Sequence, residues 1–74
     1  MTVTIQTGNW ARQFLPETTV LTLTDGAVVS DALSLLPIPR DEIGLTAVDG
    51  CVAADDRALR DGDIIEILPV IIGG

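Results

Sequence analysis

Histidine, lysine and tyrosine are absent from this chain, and cysteine, methionine, tryptophan and phenylalanine occur once each. Without histidine the usual general base at neutral pH and the commonest metal ligand are both missing, and without lysine there is no amine for a Schiff base. A self-contained hydrolase or lyase would have to work with carboxylates, hydroxyls and one thiol, so neither catalytic residues nor metal ligands are expected. Cys51 alone cannot form an internal disulfide, and nothing else points to an oxidising compartment. With no histidine in the chain to activate it, Cys51 reads as an ordinary strand residue.

Positive charge is scarce as well. Eleven Asp and Glu stand against four Arg, for a net charge of −7, so there is no basic patch to meet phosphates and nucleic-acid binding is not expected. Such a charge keeps a small protein soluble and also favours encounter with a basic protein partner. Apolar runs are too short to span a membrane, and Met1–Gln6 has neither the basic nor the apolar region of a signal peptide, so a cytoplasmic protein is expected. The clustered acids Asp55, Asp56, Asp61, Asp63 and Glu66 do not fit the spacing of a calcium loop and read as a solvated turn.

What is abundant is aliphatic: hydrophobic residues make up 47% of 74 positions. One domain of this size buries only about 60% of the surface its unfolded chain exposes, so its core must be dense. Thr2–Gln6 alternates with Val3 and Ile5 on one face, which predicts a half-buried strand. The segment "TGNWARQFLPETT" predicts a loop in which Trp10 and Phe14 plug one end of the core. A second strand is expected over Val20–Thr24, with Leu21 and Leu23 inward, ending at Asp25–Gly26. Val29, Leu33 and Leu36 fall on one helical stripe, with Ser30 as N-cap, Asp31 at the positive end of the dipole, and Pro37 and Pro39 forbidding continuation. After the connection Arg40–Gly44, Leu45–Val48 and Cys51–Ala53 flank the hairpin signal Asp49–Gly50. A turn-rich stretch anchored by Leu59 leads to the last strand, Ile64–Leu68. Two strands, a helix of about two turns, then three strands predict an α+β roll. It has a mixed sheet, the helix across one face, and a β-grasp-like order.

The sequence then closes on "LPVIIGG". Pro69 cannot donate to a sheet ladder and marks where the chain is expected to leave the sheet. That divides the chain into a domain over residues 1–68 and a flexible tail over 69–74, which at about 3.3–3.6 Å per residue reaches roughly 20 Å. Gly73 and Gly74 lack a Cβ and make the narrowest peptide tip, suited to entering another protein's active site; a frayed end is the plainer alternative. On the last strand, if Ile65 and Ile67 face the helix, then Ile64, Glu66 and Leu68 form an outward face for partner docking beside the tail.

These stretches, "VDG…LRDGDIIEILPVIIGG" and the earlier "VVSDALSLLPIPRDEI", resemble the ubiquitin-like sulfur carriers, the molybdopterin synthase small subunit MoaD and the thiamine carrier ThiS. The resemblance covers nearly the whole chain and is weakest over Thr7–Thr19. It implies a β-grasp fold and a non-catalytic carrier. A partner activating enzyme would use ATP with magnesium to adenylate the Gly74 carboxylate. A persulfide donor would convert it to a thiocarboxylate. An acceptor synthase, the molybdopterin synthase large subunit or thiazole synthase, would take the sulfur. The approach "LPVIIGG" is closer to the molybdopterin branch. Ile71 and Ile72 depart from the small residue that family members often carry before the diglycine, which implies a partner shaped to accept them. The same fold and tail also serve protein modifiers joined to target lysines, the alternative reading.

Overall fold

The computed structural model describes residues 1–71. Strand β1 (Thr2–Thr7) pairs antiparallel with β2 (Thr18–Thr22), and helix α1 (Val29–Ser34) follows. Strands β3 (Ile43–Val48) and β4 (Cys51–Val52) form a hairpin, and β5 (Ile64–Pro69) inserts between β1 and β3. The sheet order is β2-β1-β5-β3-β4, with β1 and β5 parallel and every other pair antiparallel. A parallel neighbour needs a long crossover, and α1 lies within it. The architecture is the expected α+β β-grasp roll.

On β1 and β5 the inward residues are the ones the alternation picks out. Val3, Ile5, Ile65 and Ile67 are buried, and Val48 of β3 with Val29, Ala32, Leu33 and Leu36 adds to the core. A six-residue helix is unstable alone, so this packing holds α1 in place. Its start differs from expectation. Val28 is the N-cap rather than Ser30, and Asp31 supplies the capping acceptor: Val28 N–H donates to its Oδ2 at 2.8 Å. The Asp31 carboxylate reaches the free amide better than the Ser30 hydroxyl because it sits one turn in, where a capping-box acid sits.

Three further departures have physical reasons. Strand β2 lies two residues earlier than expected because pairing with β1 fixes its ends: Gln6 lies opposite Thr18 and Thr2 opposite Thr22. Leu23 follows the strand and is still buried. The loop after β1 contains a 3-10 turn, Asn9–Ala11, and its deepest residues are Ala11 and Leu15, while Trp10 and Phe14 pack half-buried against the core. The acidic segment is also more than a solvated turn. Asp61 Oδ1 accepts from Thr2 N–H at 2.7 Å, and the buried Asp63 accepts from Arg60 N–H at 2.8 Å. Short acidic side chains that satisfy backbone amides in this way fix turns. The preceding stretch is stitched to the helix start by Val29 N–H to Arg57 O, Ser30 N–H to Asp55 O and Leu59 N–H to Ala27 O.

Candidate functional site

The last strand carries the residues of interest. Its inner row, Ile65 and Ile67, is fully buried, whereas Ile64, Glu66 and Leu68 stand on the outer face of the sheet. The pairing extends that face sideways. Leu68 lies opposite Leu45, Glu66 opposite Ala47, and Ala47 in turn opposite Val52. Leu68 is 47% exposed, Leu45 42% and Val52 70%. These apolar side chains share the face with the Glu66 carboxylate between them. Leu45 and Val52 were not singled out from sequence, because strand β3 puts a threonine inward and a leucine outward. Thr46 faces the core opposite Ile67, a choice made by the β5 register and not by the local pattern.

Beyond Leu68 the strand does not end where a proline suggests. Pro69 pairs with Ile43, and Val70 N–H donates to Glu42 O at 3.1 Å. Strand β1 stops at Thr7 opposite Ile67, so by Pro69 one side of β5 is open, and proline is tolerated on such an edge. Gly44 makes this possible. It is the extra residue of a bulge between Ile43 and Leu45. A Cβ built on it would sit 2.5 Å from the Pro69 carbonyl oxygen and 2.9 Å from the Val70 Cα. Only a residue without a side chain lets the two backbones cross this closely.

Among the described residues, Val70 is the last that the sheet holds, and Ile71 is 87% exposed. Four residues remain from Ile71 to Gly74, which at about 3.3–3.6 Å per residue span at most about 14 Å, less than the 20 Å expected for a tail starting at Pro69. Ile72, Gly73 and Gly74, three of the expected tail residues, lie outside the described residues. Among the described residues no group of three or more Cys, Asp or Glu is placed to hold a metal ion. No helix among them is long and apolar enough to cross a membrane.

The model of the ThiS family matches residues 9–74. Two solved structures share the fold. SAMP1 from Haloferax volcanii superposes with a TM-score of 0.81 at 21% identity over 100% of both chains. A protein assigned as molybdopterin converting factor, subunit 1, from Pyrococcus furiosus gives a TM-score of 0.80 at 19% identity, over 96% of this chain and 99% of that one. No curated protein matches the sequence.

Proposed function

The chain belongs to the ThiS family, and we propose that it is a sulfur carrier whose Gly74 carboxylate is adenylated and then converted to a thiocarboxylate. The observation that carries this reading is the family match running through the diglycine, on a chain that has neither histidine nor lysine. Members of the family work with activating enzymes and synthases. The partner would supply ATP, magnesium and the catalytic groups. A carboxylate oxygen attacks the α-phosphorus, pyrophosphate leaves, and AMP becomes a good leaving group on the Gly74 carbonyl carbon. The outer sulfur of a persulfide attacks that carbon and displaces AMP, forming a C–S bond. A partner thiol then attacks the donor's inner sulfur, so the persulfide's S–S bond breaks, the thiocarboxylate leaves and a disulfide forms on the partner. The sulfur would go to a molybdopterin synthase large subunit, the branch that "LPVIIGG" resembles, with thiazole synthase as the other acceptor of this chemistry.

Intact mass after incubation with the activating enzyme of the same genome, ATP and a persulfide donor tests the reading. One oxygen exchanged for sulfur is the expected product. A ladder of higher-mass conjugates in the presence of target proteins would instead favour a modifier attached to lysines, and an unchanged mass would refute both.

The docking face gives a separate expectation. Leu68 with Glu66 and Ile64 would seat the activating enzyme beside the tail. Leu68→Asp should weaken binding in calorimetry at least tenfold, because a charge would be buried in an apolar contact. Stability should fall by no more than about 1 kcal/mol, since the side chain is half exposed and away from the core. An equal loss of melting temperature and affinity would mean that Leu68 serves the fold and not the partner.

A further inference from the structure

A small cleft opens at the root of the tail. It has a volume of about 210 Å³ and is lined by Trp10, Asp41, Glu42, Pro69 and Val70. We propose that this cleft receives a basic side chain, a guanidinium by preference, from the enzyme into which the tail is inserted. The proposal rests on the carrier reading above for the identity of that enzyme.

The walls have complementary chemistry. Trp10, the sole indole of the chain, is half-buried and lines the cleft, and an indole is the side chain on which a planar cation stacks best. Asp41 and Glu42 project from the 3-10 turn Arg40–Glu42 and are exposed. Carboxylates at such a rim accept charge-assisted hydrogen bonds from a guanidinium. Pro69 and Val70 supply apolar surface for the methylene stem that carries the cation.

The negative charge of the cleft is not neutralised from within. Among the described residues the ion pairs are Met1 amine with Asp25 and Arg40 with Asp55, so neither Asp41 nor Glu42 has a cationic partner. Arg40, the cation nearest in sequence, is engaged elsewhere, its Nη2 lying 3.0 Å from Asp55 Oδ2. On a chain of net charge −7, a basic group of a partner is the complementary occupant.

Position argues for the enzyme that takes the tail. Val70 is both a wall of the cleft and, among the described residues, the last one held by the sheet, through its bond to Glu42 O. A cation seated there contacts Val70, four residues from the reacting carboxylate. Filling the cleft would thus hold the root while the tip is threaded.

The test replaces both carboxylates, Asp41→Asn with Glu42→Gln, in exposed positions that the core does not use. In ATP–pyrophosphate exchange with the activating enzyme, KM for the double variant should rise on the order of tenfold at low salt with kcat unchanged, and the difference should close at high salt. An unchanged KM, with normal exchange by the parent chain, would overturn the cleft and leave the carrier reading intact. A second arm needs no enzyme. An acetylated and amidated Gly-Arg-Gly peptide titrated into the ¹⁵N-labelled protein should shift the Trp10 indole N–H and the Val70 amide. The neutral peptide with citrulline in place of arginine should not. Equal shifts from both peptides would overturn the proposal. Arginine-specific shifts from a chain that the enzyme does not adenylate would keep the cation site and refute the carrier reading.

Discussion

Replacing Gly44 by alanine is expected to lower the melting temperature and, out of proportion to that loss, to slow adenylation. The new Cβ would meet backbone atoms, the Pro69 oxygen at 2.5 Å and carbonyl carbon at 2.8 Å, and no rotamer change can relieve a clash with backbone. The ends of β3 and β5 must separate, and the bond from Val70 N–H to Glu42 O stretches or breaks. Overpacking of this kind costs about 1–3 kcal/mol, and the hydrogen bond adds roughly 1 kcal/mol. The effect on function should be larger because the clash lies where strand β5 leads into the tail. A displacement near 1 Å at a reacting group can cost on the order of a hundredfold in rate. Gly26→Ala is the control. Gly26 sits in the turn after β2 with φ of +88° and open space around it, so alanine there is strained without touching the tail. Its cost of about 1 kcal/mol should appear in the melting curve alone. If Gly44→Ala and Gly26→Ala lose stability equally and both adenylate normally, the bulge is a feature of the fold with no part in aiming the tail.

How much of this was readable from the residues varies along the chain. The phase of β5 was legible because Glu66 is the one charged residue in "IIEIL". Placing it outward puts Ile65 and Ile67 inside and Leu68 out, as found. Strand β3 has no such marker. "LTAV" reads equally well with Leu45 or Thr46 inward, and only the cross-strand partners of β5 decide, so half of the outer apolar face was hidden. Gly44 carried no local signal either. In "RDEIGL" it looks like the end of a connection, whereas it is a bulge inside a strand, required by a backbone more than twenty residues later. Pro69 misled in the opposite sense, since the rule that excludes proline from sheets depends on whether the neighbouring strand is still present. Trp10 and Phe14 drew notice for their size, but the small Ala11 and the later Leu15 fill the deeper space. The roles proposed for Gly73 and Gly74 would belong to chemistry on another protein, which no packing argument within this chain reaches.

That chemistry makes the strongest expectation. Gly73→Val, or removal of Gly74, should abolish ATP-dependent adenylate formation while leaving the melting temperature nearly unchanged. Among the described residues the buried core runs from Val3 to Ile67, and a glycine has no side chain to add to it. Substitutions that touch neither core nor backbone network usually stay within about 0.5 kcal/mol. The narrow tip matters only where the carboxylate must pass between the walls of the activating enzyme and meet the α-phosphorus in line. A β-branched side chain at position 73 would foul that passage, and loss of Gly74 withdraws the carboxylate by about 3.3–3.6 Å. Since even 1 Å is worth on the order of a hundredfold, either change should drop exchange below detection. Pyrophosphate exchange and a melting curve measured on the same sample separate the two effects. Val at position 71 in place of Ile71, an aliphatic change on the tail outside the diglycine, should keep most of the exchange and serves as the reference. Normal exchange from the chain lacking Gly74 would sink the carrier and modifier readings together, because both require that carboxylate at the same place.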